Sequence, residues 1–199
     1  MINITKDVAT VRLTKANLAK ARKFADERTK DNALYQKRGG FKVEDIISGA
    51  LAEIAVYKLL KEKGIDVSKP DFEIYAKGKK SYDADLSDGT HHFHVKGQTL
   101  ESKQRYGASW IMQRKDPIIA NPELQHYLVP CTVCITTGRV DIYGLMSIRT
   151  LVDNACIQEC KLEWFRKTKV ALYMKYIEGI LTTKARWGAL YKIPRRMSK

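Results

Sequence analysis

The repeat of apolar and polar positions changes along the chain, and each change marks an element. Thr10 to Leu13 reads as a short strand. Thr14 then caps a helix in which Leu18, Ala21, Ala25 and Arg28 fall at helical spacing, while the other face is rich in lysine. Gly39-Gly40 breaks that pattern, and a second, strongly apolar helix runs from about Val43 to Lys63, ended by Gly64. From Asp71 the repeat shortens. DFEIY, SYDADL and HHFHVKGQ read as three strands punctuated by Gly78 and Asp88-Gly89. A polar stretch containing SWIMQRKDP follows, and then YLVPCTVCI and RVDIYGLMSI form two strands that turn about Thr137-Gly138. From roughly Leu162 to Leu181 the spacing predicts a helix, followed by the basic, aromatic-bearing tail KARWGALYKIPRRMSK. The order of helix, helix, strands and helix predicts a mixed α/β chain with one central sheet.

Composition narrows the class. With 199 residues, 44% of them hydrophobic, the chain can bury a proper core. The absence of repeats, low-complexity runs and Pro/Gly/Ser linkers predicts a single domain over 1–199. No apolar run is long enough for a membrane helix and the N-terminus lacks the apolar core of a signal peptide, so a cytoplasmic protein that avoids membranes is expected. Four cysteines are too few for a secreted disulfide scaffold. Cys131-x2-Cys134 and Cys156-x3-Cys160 have zinc-like spacing, but the first pair lies inside a strand pattern and reads better as buried small side chains.

Charge adds a direction. The formal net charge is +14, and it is uneven: residues 1–40 carry 10 basic and 4 acidic side chains, and residues 161–199 carry 11 and 2. The core between them, 41–160, is close to neutral with 15 basic and 16 acidic. Two basic helical flanks around a neutral centre predict a polyanion gripped at the flanks, with nucleic acid the natural partner. Lys20, Arg22, Lys23 and Arg28 form one candidate contact surface. Lys184, Arg186, Trp187, Arg195 and Arg196 form another, with aromatic rings among cations suited to stacking on bases. Gln104, Arg105 and Gln113 follow the core and are candidates for base or backbone contacts.

The candidate chemistry lies between the flanks. In HHFHVKGQ, a strand would put Phe93 and Val95 on one face and His92, His94, Lys96 and Gln98 on the other. The preceding strand would point Asp83 and Asp85 to one side, and a turn at Asp88-Gly89 would bring the two polar faces together. In the second helix Ile46, Ala50, Glu53 and Tyr57 share one face, so Glu53 interrupts an apolar stripe. A carboxylate there is costly unless it is paired, hydrated at the stripe's edge or bound to a metal.

The helix GALAEIAVYKLL, then YDADL, then HVKGQ resembles the core of the PD-(D/E)XK nuclease superfamily, over roughly residues 48–147. The resemblance implies a restriction-endonuclease-like fold, a mixed central sheet flanked by helices. It implies a divalent ion, Mg²⁺ or Mn²⁺, and a catalytic set of Glu53, Asp85, His94, Lys96 and Gln98. Asp85, Glu53, His94 and Asp83 are the implied metal ligands, with Lys96 stabilising charge and Gln98 positioning water or phosphate. His94 stands where the family usually has an acid, which favours Mn²⁺ over Mg²⁺ or a proton-transfer role. The expected activity is hydrolysis of phosphodiester bonds in duplex or branched DNA by a homodimer, in a setting such as a phage or mobile element acting in its host cell. The alternative is a non-catalytic DNA- or RNA-binding protein of the same fold with a degenerate site.

Overall fold

A computed structural model describes residues 8–32, 43–74 and 84–177 of the chain. The first elements follow the sequence pattern. β1 (Ala9–Arg12) leads into α1 (Lys15–Asn32), whose start is closed reciprocally: Thr14 Oγ1 donates to Asn17 Oδ1 at 3.0 Å, and the Asn17 amide donates back to Thr14 Oγ1 at 3.3 Å. α2 (Val43–Glu62) is apolar on most of its circumference, with Ala50, Leu51, Ile54, Ala55, Leu59 and Leu60 all buried. Such a helix belongs inside the protein, and it packs against both α1 and the sheet.

The main sheet contains β2 (Leu86–Ser87), β3 (His92–Thr99), β5 (His126–Cys134), β6 (Arg139–Ile142) and β7 (Met146–Ser147). Its order is β1-β6-β5-β3-β2, with β7 also pairing with β5. β3 and β5 are parallel and in register from His92 beside His126 to Thr99 beside Val133; the other pairs are antiparallel. The sheet is therefore mixed and flanked by helices. Parallel strands need a crossover, and here α3 (Leu100–Tyr106), β4 (Ser109–Gln113) and α4 (Pro117–Ala120) lie within it.

Gly97 governs how α2 meets β3. A Cβ at this position would lie 2.7 Å from the Ser48 carbonyl oxygen and 3.3 Å from Ala52 Cβ. The helix backbone thus rests directly on the strand, in space that any side chain would take. Phe93 and Val95 point to this same face and join the core with Leu51, Val56 and Leu60.

Several expectations change. The segment from 162 is not one helix: after α6 (Glu163–Arg166) the chain forms β9 (Lys169–Tyr173). An apolar run such as VALY fits a buried strand as well as a helix, and strand pairing decides between them. SWIMQ is not an irregular polar stretch but β4, with Trp110 and Met112 turned inward and Ile111 and Gln113 outward. Finally, there are two sheets, because β4, β9 and β8 (Ile157–Glu159) pair separately in the order β4-β9-β8. Trp110, Met112 and Leu172 of this second sheet, with α5 (Ile148–Asp153), cover the face of β5 opposite α2, where Leu128 points. Trp110 Nε1 donates to the Cys131 carbonyl at 2.9 Å and fastens the second sheet to the first. Of the two upstream strands, 71–74 has no regular structure, 75–83 lies outside the described residues, and only Leu86–Ser87 pairs with β3.

Gly97→Ala is expected to lower unfolding free energy by about 1–3 kcal/mol, since the added methyl meets backbone. Gly49→Ala, in α2 with nothing within 4 Å of its would-be Cβ, is expected to raise it by about 0.5–1 kcal/mol. Urea denaturation of the two variants checks both signs.

Candidate active site

The ladder between β2 and β3 ends at Leu86 beside Phe93. One residue before it, Asp85 takes over: its Oδ2 accepts a hydrogen bond from the Val95 amide at 2.7 Å, standing in for a missing strand carbonyl. The carboxylate is thereby fixed against the strand that carries Lys96. Glu53 reaches the same place from α2, and its ionisation responds to both Asp85 and Lys96. Glu53 on α2, Asp85 just before β2 and Lys96 on β3 thus lie close enough for their charges to act on one another.

Their electrostatics are unfavourable for two negative charges. Burial, and next the charge of Asp85, raise the Glu53 carboxyl to about 8, although Lys96 and Arg28 pull the other way. Asp85 is also raised, chiefly by burial; Lys96 and the Val95 amide oppose this, while Asp116 adds to it. Both residues keep some surface in solvent, but protein surrounds their carboxyl groups. Asp116, whose side chain accepts from the Ile118 amide at the start of α4, is an acidic neighbour that the sequence pattern did not single out. Its signal was the Asp-Pro pair that begins α4. Among the described residues no three His, Cys, Asp or Glu side chains form a ready-made metal cage. The donor chemistry nevertheless suits a hard divalent ion, which typically keeps several waters and needs only one or two carboxylates. Asp83 lies outside the described residues.

His94 shares a strand face with Lys96 but is buried, at 6% exposure, instead of lining an open cleft. Its Nε2 is 2.8 Å from Nδ1 of His126, which begins β5, and the two rings are within 17° of parallel. Burial, then the charge of Lys96 and the neighbouring His126 and His92, hold His94 down at about 3, so the ring is neutral. His126 has no motif signal in the sequence; only the parallel register of β3 and β5 brings it here. Gln98 is occupied at both ends of its amide. It donates to the Gly107 carbonyl at 3.0 Å and accepts from the Ser109 amide at 3.1 Å, clamping the turn from α3 into β4.

The predicted nucleic-acid contacts separate into groups. Arg22 and Lys23 are exposed on α1, the latter 3.8 Å from Glu27. Lys20 lies over the Phe72 ring at 4.8 Å and Arg28 over Phe24 at 5.6 Å, with the two rings packed 5.1 Å apart. Arg28 also acts on Glu53, so the α1 surface adjoins the carboxylates. Gln104, Arg105 and Gln113 are exposed on α3 and β4. Lys184, Arg186, Trp187, Arg195 and Arg196 lie outside the described residues. The four cysteines are free thiols in separate surroundings: Cys131 is in the core beneath α2, Cys134 is half-buried, and Cys156 and Cys160 belong to two other clusters. They form no zinc site.

Among known proteins, the chain matches no family model, no curated protein and no solved structure.

An acid whose pKa rises on folding contributes stability that is fully present below its unfolded value, near 4.5 for Glu53, and is lost as pH rises through about 8. In EDTA, Glu53→Gln is therefore expected to melt above the parent protein at about pH 9, with the gap closing by about pH 5. Thermal melts of both proteins across that range check the sign.

Proposed function

We propose that the protein is a divalent-metal-dependent endodeoxyribonuclease of restriction-endonuclease-like architecture. The observation that carries this reading is the meeting of Glu53, Asp85 and Lys96 at the end of a strand ladder. Two carboxylates held together with a lysine beside them are costly to fold around. A divalent ion and a phosphate give that cost a purpose. The topology supports the same reading: β2 and β3 are antiparallel, β3 is parallel to β5 across a helix-containing crossover, and α2 lies on β3.

Asp85 and Glu53 would hold the ion, and Arg28 would draw the phosphate backbone toward them from α1. A bound ion supplies charge neutralisation at the scissile phosphate and lowers the pKa of a water. Lys96 would donate to a non-bridging phosphate oxygen, stabilising the charge that develops there, and would orient the attacking water. Asp85, fixed by the Val95 amide, has little freedom to reorganise during the reaction. The basic flanks would supply sequence-independent grip on the DNA backbone. Cutting both strands of a duplex requires two such sites, so a homodimer is part of the proposal.

The second reading is a DNA- or RNA-binding protein with a lapsed site. It is favoured by His94 in place of an acid and by the engagement of Gln98 with a turn. Lys96→Ala separates the two. On supercoiled plasmid and on a branched junction, the parent protein is expected to cut with Mg²⁺ or Mn²⁺ and not with EDTA. The variant should cut about 10²–10⁴-fold more slowly while shifting DNA on a gel as before. A parent protein that binds DNA but leaves it intact under every metal would establish the binding reading instead.

A further inference from the structure

The face of the second sheet that α6 covers has no part in the nuclease reading. Phe165 is turned inward there, against Cys160, Ala171 and Tyr173. Its neighbour Trp164 is turned outward and is 72% exposed, more than any other large apolar side chain among the described residues. A ring of that size is costly to leave in water. The segment that presents it is firmly tied. The Lys161 amide donates to the Tyr173 hydroxyl at 2.7 Å, Arg166 Nε donates to the Cys160 carbonyl at 3.2 Å, and Arg114 Nη2 donates to the Arg166 carbonyl at 2.7 Å. A ring on so fixed a support loses little freedom when something stacks on it. Cations share this surface. Lys161 Nζ lies over the Tyr173 ring at 5.0 Å and Lys175 Nζ over the Tyr176 ring at 4.6 Å, with the two rings 6.3 Å apart, edge to face. Residues 160–176 hold five basic side chains against one acidic. Among the described residues none of Lys161, Lys167 and Lys175 pairs with a carboxylate. Tyr173 is the ladder partner of Ser109, which Gln98 of β3 holds, so the second sheet connects this surface to the strand bearing Lys96.

We propose that this surface binds single-stranded DNA, with an unpaired base stacked on Trp164 and with Lys161 and Lys175 holding the phosphates next to it. Inside a duplex both faces of a base are covered by its neighbours, so a projecting ring can stack only on an unpaired one. Phosphates complement a surface whose cations have no acidic partners. An anionic membrane would need a wide apolar face, whereas here Phe165 is turned inward and leaves Trp164 as the projecting ring. The choice of DNA rests on the nuclease reading, whose branched substrates offer unpaired bases at the junction. The stacking and the phosphate contacts do not need the catalytic site.

The test uses the full-length protein in EDTA, so that nothing is cut, with an oligothymidylate of about 12 nucleotides and an oligouridylate and a duplex of the same length. Fluorescence anisotropy of the labelled strand gives affinity, and quenching of tryptophan emission reports stacking. The parent protein should bind the oligothymidylate with quenching. Trp164→Leu, which keeps an apolar side chain but no ring, should bind it about 10–100-fold less tightly and the duplex nearly as before. Trp164→Phe should keep most of the affinity while losing part of the quenching, which a merely apolar contact would not single out. Both variants alter an exposed side chain and are expected to fold. Lys161→Gln and Lys175→Gln should each lower the slope of log affinity against log salt by about 0.7. Equal affinity in Trp164→Leu and the parent overturns the inference, as does a loss that is just as large on the duplex. A loss that is larger on the oligouridylate overturns the assignment to DNA. Weakened binding of Trp164→Leu to vesicles of phosphatidylglycerol and phosphatidylcholine, with oligothymidylate binding unchanged, makes the surface a membrane contact instead. Each of these failures leaves the nuclease reading standing wherever metal-dependent cleavage is lost in Lys96→Ala. A protein that stacks single strands through Trp164 but cuts nothing keeps this surface and loses the nuclease reading.

Discussion

The contact of α2 with β3 at Gly97 is the constraint on which the arrangement depends. With no side chain between them, the Ser48 carbonyl region of the helix lies against the strand backbone, and Ala52 fills the remaining space. That closeness brings Glu53, one residue further along the helix, to the strand that carries Lys96. A larger residue at position 97 would hold the helix away, and the carboxylate with it. Fold and site are thus set by one packing decision: Gly97 is flanked in the chain by Lys96 and Gln98, so the glycine that admits the helix adjoins both polar groups.

The second determining feature is a strand ladder that stops early. β2 pairs with β3 over only two residues, and the next free amide on that edge, Val95, is taken by the Asp85 side chain. An unpaired strand edge needs an acceptor, and a carboxylate meets that need while remaining available to a cation. The same residues carry an electrostatic cost, because Glu53 and Asp85 are both pushed toward their protonated forms by burial.

The opposite face of the sheet is organised by side chains that reach across gaps. Trp110 joins the second sheet to the Cys131 carbonyl, and Gln98 clamps the turn that delivers β4. On the same face Lys103 Nζ donates to the Tyr143 hydroxyl at 2.6 Å, and the buried Thr132 lies 3.0 Å from that oxygen. These contacts secure the long crossover between the two parallel strands. β3 and β5 consequently keep a fixed register, and the histidine pair is assembled from residues 32 positions apart.

The sequence by itself determined the elements with strong local patterns: α1 with its Thr14 cap, α2 up to its last turn, and the inward and outward faces of HFHVKGQT. It also marked Glu53, a carboxylate in an apolar stripe, and the polar strand faces of Asp83 and Asp85 and of His92, His94, Lys96 and Gln98; the resemblance to the nuclease core picked Asp85 and Lys96 from these. Tertiary structure decided the rest. Short apolar runs such as VALY and SWIMQ do not choose between helix, strand and loop until another strand offers hydrogen bonds, so the second sheet was hidden. Gln98 falls on the polar face of its strand in the sequence, but its partners lie beyond a helix in the chain. His126 gained its place only through the parallel register with β3. Local periodicity reports which face a residue occupies, whereas pairing and packing decide what it meets there.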